Sequence, residues 1–199
     1  MEDFDTENKS AHAEGGRAIV PDNPLGHAGE LEMRHRFPSP YHWDAHSLSS
    51  MMSPGIPVSL ARFVEAQPFF FIATADADGH CDASFRGREY DASGNPLPAL
   101  RVIDERRLIF PDYSGNGLYN SLGNILLNPH IGMLFMDFAR QRRARINGTA
   151  AILEANDEIR EVWPMAQGAV LVTVEQAYGN CQARIPRMDM VERSDRRQQ

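Results

Sequence analysis

The fold is decided by residues 69–87, which read FFFIATADADGHCDASFRG. The run Phe69–Ala75 is aromatic and apolar throughout, and its length suits a strand that is buried on both faces. Residues 76–79, Asp-Ala-Asp-Gly, are typical of a hairpin turn. Residues 80–86 can then return as a second strand. We therefore predict an antiparallel β-hairpin here.

Further strands are predicted at similar spacing along the chain. They cover residues 99–103, 108–112, 131–138, 144–153 and 169–178, with a bulge or bend at Asn147-Gly148. A central helix is indicated by Leu118, Leu122, Ile125 and Leu126, which share one face at helical spacing. Shorter helices are predicted over 57–67 and 156–163. This pattern favours a mainly β fold with flanking helices, in which six or seven antiparallel strands form a closed or nearly closed barrel.

The first quarter of the chain has a different composition. Residues 1–54 hold nine acidic and four basic residues, so they carry −5 of the net charge of −7, and they include five prolines. Prolines interrupt long helices and strands. We interpret 1–54 as a flexible acidic tail and arm, 55–190 as the barrel domain, and 191–199 as a charged C-terminal tail.

Composition excludes several classes of function. A net charge of −7 argues against a general nucleic-acid binder, although an RNA patch at Arg140–Arg145 remains an alternative. No apolar run approaches the roughly 20 residues of a membrane helix, and the acidic N-terminus does not resemble a signal peptide. The two cysteines, Cys81 and Cys181, form no CxxC motif. We expect a cytoplasmic protein without a metal site and without nucleic-acid or membrane partners.

Two segments are candidate anion sites. Ser84 and Arg86 lie two residues apart on a strand and so share a face, where the guanidinium is suited to a phosphate. Residues 114–117, Ser-Gly-Asn-Gly, precede the central helix, whose free N–H groups attract anions. Taken alone, each segment is better explained by a simpler structure, a solvated strand end or an ordinary turn. Arg101, in mid-strand, either lines the barrel edge or meets an anion.

The motifs of common catalytic machinery are missing. The sequence contains no Gly-x-Ser-x-Gly elbow and no Walker loop. If the protein is an enzyme, a bound cofactor is therefore expected to carry the chemistry.

An ordered series of segments resembles one known family. The segments are 71–87, 101–117, 121–125, 128–135, 145–150 and an Asn-Cys motif within 178–184. Together they are similar to the pyridoxamine 5′-phosphate oxidase-like, FMN-binding split-barrel family, over about residues 57–188. The resemblance implies a split β-barrel of FMN-binding type and a homodimer with its cofactor sites at the subunit interface.

The resemblance also implies a set of cofactor-binding residues. The residues expected near the flavin phosphate, its ribityl chain or its ring are Ser84, Phe85, Arg86, Gly87, Phe110, Pro111, Asp112, Tyr113, Asn116, Gly117, Ser121 and Asn124. The sequence departs from the family in residues 115–119, which carry no positive charge. Arg86 or Arg101 must therefore neutralise the phosphate. The basic residues that hold pyridoxal phosphate are not recognisable near the C-terminus, so the sequence does not predict vitamin B6 oxidation.

The leading hypothesis is an FMN-dependent oxidoreductase that acts on an unidentified small molecule, with NAD(P)H as a possible partner. The alternatives are a non-catalytic flavin or haem binding protein and a deazaflavin (F420)-dependent reductase. No general acid or base is assigned. Tyr113, Tyr178 and Arg184 are candidates near the substrate face.

Overall fold

The computed structural model describes residues 25–180 and 182–190. Residues 1–24 of the predicted tail and arm (1–54), Cys181 and the predicted C-terminal tail over 191–199 lie outside the described residues. Contacts divide the chain into two units, 1–45 and 46–199. No described helix has the length and apolar character needed to cross a membrane.

The described part of the first unit contains one helix, α1 (Ala28–Arg36). Its start is capped reciprocally: the His27 ring accepts a hydrogen bond from the Gly29 N–H at 3.1 Å, and the Glu30 carboxylate accepts one from the His27 N–H at 2.9 Å. These bonds satisfy helix N–H groups that would otherwise lack partners.

In its described residues, the second unit contains seven strands and four helices. The strands are β1 (Phe69–Ala75), β2 (Cys81–Gly87), β3 (Arg101–Val102), β4 (Arg107–Tyr113), β5 (His130–Asp137), β6 (Arg142–Glu154) and β7 (Ala166–Asn180). The helices are α2 (Ala45–Met51), which begins at the boundary, α3 (Val58–Glu65), α4 (Asn120–Leu127) and α5 (Asp157–Val162). All strand pairs are antiparallel, in the order β2-β1-β5-β6-β7-β4-β3. The predicted mainly β split barrel with flanking helices is confirmed.

The predicted hairpin is also confirmed. β1 and β2 pair from Phe69 opposite Gly87 to Ala75 opposite Cys81. Asp76 organises the turn, since one carboxylate oxygen accepts hydrogen bonds from the N–H groups of Asp78 and His80, each at 2.9 Å. This register determines which β1 side chain lies opposite each β2 side chain.

The predicted irregularity in β6 is a register shift at Asn147/Gly148. A Cβ atom at Gly148 would lie 2.0 Å from the carbonyl oxygen of Thr173 on β7. Glycine is therefore required here by close backbone approach, because any side chain would displace the neighbouring strand.

The main core lies on one face of the curved sheet. Phe70, Phe110 and Phe135 are completely buried there, and the Phe70 ring lies 5.2 Å from that of Phe110 and 5.3 Å from that of Phe135. A second cluster contains Trp163, whose indole N–H donates to the Pro98 carbonyl at 2.7 Å.

Two predictions of local structure were wrong in detail. The strand predicted over 99–103 contains only Arg101–Val102. Ala99 and Leu100 are buried in the core, but their backbone does not pair with β4. The predicted apolar helix face includes Leu118 and Leu126, yet these are 67% and 75% exposed. Helix α4 begins only at Asn120; it buries Ile125, as predicted, together with Ser121, and Leu122 packs against the core. Helical spacing therefore identified the helix and two of the four residues on its packed face.

Candidate functional site

A cavity of about 230 Å³ lies between strand β2, the end of β4 and the start of α4. Its walls are Asp82, Ala83, Ser84, Arg86, Asp112, Tyr113, Gly115, Asn116, Gly117, Leu118, Tyr119, Asn120, Ser121 and Leu122. Strand alternation explains the β2 wall, since Asp82, Ser84 and Arg86 point to one face while Phe85 points to the other.

Arg86 is held in place at the base of this cavity. Its Nη1 atom lies 2.8 Å from Asp112 Oδ1, and the two side chains are only 19% and 8% exposed. The guanidinium carbon lies 6.0 Å from the centre of the Phe110 ring. The Nε atom is buried and finds no hydrogen-bond partner in the described part of the chain. A fixed cation with an unused donor is suited to a ligand with acceptor atoms.

The start of α4 forms the opposite wall. Tyr119 precedes the helix in the left-handed region, at φ 53°, and its side chain makes no capping hydrogen bond to the first turn. The loop before it is closed by the Leu118 N–H, which donates to Asn116 Oδ1 at 3.1 Å. An uncapped helix start offers free N–H groups and the positive end of the helix dipole to a ligand.

Two side-chain hydrogen bonds attach α4 to the sheet. Ser121 Oγ donates to Asp82 Oδ2 at 2.6 Å, and Asn124 Nδ2 donates to Thr74 Oγ1 at 3.2 Å. They position the start of the helix relative to β1 and β2.

Tyr113 contributes a neutral hydroxyl group. Burial of the phenol, together with the nearby Glu89 carboxylate, raises the pKa of Tyr113 to about 12. Its hydroxyl is buried without a hydrogen-bond partner among the described residues. Tyr113 is therefore protonated at neutral pH and is available to donate a hydrogen bond, but it is not a general base.

The structure brings seven of the thirteen predicted cofactor residues together around the cavity. They are Ser84, Arg86, Asp112, Tyr113, Asn116, Gly117 and Ser121. They come from β2, β4, the following loop and α4, so segments far apart in the chain meet at one place.

The other six predicted residues lie outside the cavity walls. Phe85 is 59% exposed on the opposite sheet face, and its ring lies 5.3 Å from that of Phe69. The remaining positions are Gly87 at the end of β2, Arg101 exposed on β3, Phe110 in the core, Pro111 buried on β4, and Asn124 bonded to Thr74. Arg101 therefore adds no charge to the lining.

Sequence reasoning missed two polar residues near this site. Asp82 precedes Ser84 by two positions on the same strand face, so the alternation that identified Ser84 and Arg86 also applies to it. Gln167 on β7 donates to Asp112 Oδ2 at 2.7 Å, and no local sequence signal points to it. Because β7 pairs with β4, only the sheet order makes the two neighbours.

Of the three candidate acid–base residues, one lines the cavity and two do not. Tyr113 lines the cavity, but Tyr178 does not, and its hydroxyl accepts a hydrogen bond from Arg145 Nη1 at 3.4 Å. Arg184 is exposed.

Three of the clustered arginines have intramolecular contacts. Arg140 Nη1 lies 3.2 Å from Asp137, while Arg142 lies 5.0 Å from the ring centre of Phe63 and Arg145 lies 5.9 Å from that of Tyr178. Arg140 and Arg142 also line a second cavity, of about 490 Å³, which contains none of the predicted cofactor residues.

The charge of the first cavity is mixed. Among its described lining residues, Arg86 is the one cation, and Asp82 and Asp112 are the carboxylates. Two lining residues nevertheless have buried polar atoms for which the described part of the chain offers no hydrogen-bond partner, Arg86 Nε and Tyr113 Oη. These unused donors and the uncapped helix fit a ligand that carries oxygen acceptors, as the phosphate and ribityl chain of FMN do.

Several solved structures resemble this chain at low sequence identity. HupZ from Group A Streptococcus is 20% identical, with a TM-score of 0.48, over 62% of this chain and 93% of that one. A putative pyridoxamine 5′-phosphate oxidase from Lactobacillus delbrueckii is 17% identical, with a TM-score of 0.47, over 63% and 95%. HutZ, a haem storage protein from Vibrio cholerae, is 12% identical, with a TM-score of 0.39, over 61% and 89%.

No curated protein matches the chain. Residues 57–192 match the family model for pyridoxamine 5′-phosphate oxidase, which spans well over half of the sequence. The matched segment contains all seven strands and every residue that lines the cavity. The resemblance inferred from the sequence is thus confirmed, and the chain belongs to the pyridoxamine 5′-phosphate oxidase family.

Proposed function

We propose that this protein is an FMN-dependent oxidoreductase that acts on an unidentified small-molecule substrate. The observation that carries the proposal is the convergence of Ser84 and Arg86 with Asp112, Tyr113 and the start of α4 around one cavity. These residues are among those that the family resemblance assigns to FMN. Membership of the family supports flavin as the class of cofactor.

Particular residues would hold the two ends of the cofactor. Arg86 Nε, the uncapped N–H groups of α4 and the amides of Asn116 and Asn120 are donors for the phosphate. Tyr113, at the end of β4, would donate a hydrogen bond from its hydroxyl group to another acceptor of the flavin. We place the phosphate end against α4 for this reason.

When bound, the flavin supplies hydride or electron transfer. The protein binds and orients the cofactor and shields it from water. Because the pKa of Tyr113 is raised to about 12, its side chain keeps its proton and acts as a donor throughout the neutral range. The proposal assigns no proton transfer to Tyr178 or Arg184.

We also propose that the working unit is a homodimer with the cofactor at the subunit interface. The cavity rim supports this, since Leu118 and Tyr119 line the cavity and are 67% and 55% exposed. A second copy of the chain would cover these apolar side chains and exclude water from the flavin.

The decisive experiment is an absorbance spectrum of the purified protein before and after incubation with FMN, followed by gel filtration. Flavin bands that elute with the protein support the proposal, and their bleaching by NADH or NADPH would show catalytic competence. Retained flavin that neither nicotinamide reduces favours a non-catalytic binder. A haem Soret band, or selective retention of deazaflavin over FMN, would overturn the choice of FMN.

A further inference from the structure

Asp82 places a carboxylate inside the cavity that the proposed function assigns to the flavin phosphate. It lies on the wall of β2 and accepts a hydrogen bond from Ser121 Oγ at 2.6 Å. Ser121 belongs to the first turn of α4, where the donors suited to a phosphate are concentrated. The carboxylate therefore stands beside the group to which the phosphate would bind.

The two acids of the cavity differ in how their charge is balanced. Asp112 is paired with Arg86 Nη1 at 2.8 Å and also accepts from Gln167 at 2.7 Å. No cation within the described residues 25–180 and 182–190 forms an ion pair with Asp82. Since Arg86 is already committed to Asp112, the lining carries one uncompensated negative charge, and it is on Asp82.

The hydrogen bond from Ser121 to Asp82 also uses the hydroxyl proton of Ser121. A hydroxyl group has one proton to give, and that of Ser121 is donated to Asp82 in this structure. A phosphate monoester carries between one and two negative charges at neutral pH. It would meet Asp82 as a like charge and would find Ser121 already engaged, whereas the hydroxyl groups of a ribityl chain can themselves donate to a carboxylate.

We propose that Asp82 is a specificity-determining residue that lowers the affinity of this cavity for phosphorylated flavin relative to unphosphorylated flavin. This inference rests on the proposed flavin function. It predicts that the preference between FMN and riboflavin, which differ only in the phosphate, is controlled by the charge at position 82.

The test compares the two ligands in wild-type protein and in Asp82→Asn, by titration of flavin fluorescence. Asparagine keeps the shape and an acceptor oxygen for Ser121 but removes the charge. We expect Asp82→Asn to bind FMN roughly tenfold more tightly, which is the scale of one close like-charge contact. Riboflavin affinity should remain within about twofold, because riboflavin has no phosphate to be repelled.

A matched control is Asp78→Asn, which removes the same charge from an exposed position in the β1–β2 turn. It should leave the ratio of the FMN and riboflavin affinities unchanged. A shift in this control equal to that in Asp82→Asn would overturn the proposal, because net charge alone would then explain the effect. Asp82→Ser provides a second neutral variant should Asp82→Asn fail to fold.

A double variant tests the part played by Ser121. The amide oxygen introduced by Asp82→Asn is a weaker acceptor than the carboxylate, so the Ser121 hydroxyl can donate to a phosphate instead. Adding Ser121→Ala should then remove part of the gain in FMN affinity. Equal affinity changes for FMN and riboflavin, or none for either in a folded Asp82→Asn, would refute the assignment to Asp82. Failure of every variant and of the wild type to bind either ligand is a different result, since it overturns the proposed function itself.

Discussion

The guanidinium of Arg86 is buried near a carboxylate and an aromatic ring, and its Nε atom has no hydrogen-bond partner among the described residues. The Asp112 ion pair fixes its position at 2.8 Å, and the Phe110 ring lies below it at 6.0 Å. A cation that is already oriented loses little conformational entropy on binding an anion. This is the physical basis for making Arg86 the main phosphate contact.

Arg86→Ala should weaken FMN binding by roughly ten- to a hundredfold, since a hydrogen bond to a charged group contributes about 1.5–3 kcal/mol. Arg107→Ala is a matched control, because Arg107 pairs with Asp104 at 2.8 Å and does not line the cavity. It should leave FMN affinity unchanged. Unaltered affinity in a folded Arg86→Ala protein would show that the phosphate lies elsewhere.

Tyr113→Phe tests whether the Tyr113 hydroxyl binds the flavin or instead stabilises the fold. The Tyr113 hydroxyl is buried without a described partner, so its removal should leave the free energy of unfolding unchanged or raise it by up to about 1 kcal/mol. FMN affinity should fall by roughly fivefold through loss of one hydrogen bond. Denaturant unfolding and flavin titration measure the two quantities, and a loss of stability without a loss of affinity would contradict this role.

The pH dependence of FMN binding gives a further check on Tyr113. Because its pKa is raised to about 12, ionisation of the phenol adds no change in affinity from neutral pH up to mildly alkaline pH. Above the raised pKa the phenolate would repel a flavin acceptor. A step in affinity that is present in the wild type below pH 10 and absent in Tyr113→Phe would contradict the raised pKa.

At the scale of elements, the β1–β2 turn depends on one carboxylate. The N–H of His80 and the His80 ring, at 2.9 Å from Asp76, lower the pKa of Asp76 below its usual 3.8. A carboxyl whose pKa is lowered by folding stabilises the fold above its unfolded-state value, and this contribution is lost as the pH falls through the folded-state value.

Asp76→Asn should therefore melt at a lower temperature than the wild type at neutral pH. The difference in melting temperature should shrink as the pH falls below 3.8, because the wild-type carboxyl then gains a proton and loses its charge, as the asparagine variant has none. Thermal unfolding followed by circular dichroism over a pH series measures it. Asp78→Asn is the control, because Asp78 is exposed in the same turn and contributes only its backbone N–H to the hydrogen bonds with Asp76; its melting temperature should stay close to that of the wild type. A difference in melting temperature that stays constant with pH would show that the Asp76 charge has no part in the turn.

Helix α4 contains a glycine that its structure does not require. A Cβ atom at Gly123 would meet no atom within 4 Å, and glycine in a helix interior costs about 0.5–1 kcal/mol relative to alanine. Gly123→Ala should raise the free energy of unfolding by this amount and leave flavin affinity unchanged, because Gly123 does not line the cavity. Destabilisation in denaturant titration would show that the helix packs more closely there than this structure indicates.

At the scale of the whole molecule, the proposed dimer tests whether the cavity rim is an interface. Light scattering should give twice the chain mass of 22.3 kDa. Leu118→Ser should weaken both the dimer and FMN binding, since Leu118 lines the cavity and is 67% exposed. Leu126→Ser is the control, being 75% exposed on α4 outside the cavity. A stable dimer in Leu118→Ser with normal flavin affinity would place the interface elsewhere.

Local sequence determined most of the elements of this fold. Strand β1, its turn and β2 were predictable because short-range forces act within them: apolar side chains alternate or cluster over a strand length, and aspartate with glycine forms the turn. The bulge at Gly148 was predictable because asparagine and glycine interrupt an otherwise regular strand. Ser84 and Arg86 were predictable as a pair for the same local reason.

Tertiary structure alone decided how the site is assembled. Gln167 reaches Asp112 because β7 pairs with β4, and Ser121 reaches Asp82 because α4 packs beside β2. Both depend on packing between segments far apart in the chain, so no spacing along the sequence encodes them. The sequence therefore determined the family, most of the strands and two candidate cations, Arg86 and Arg101. Long-range packing decided that, among the described residues, Arg86 lines the cavity and Arg101 does not, and which acids lie beside Arg86.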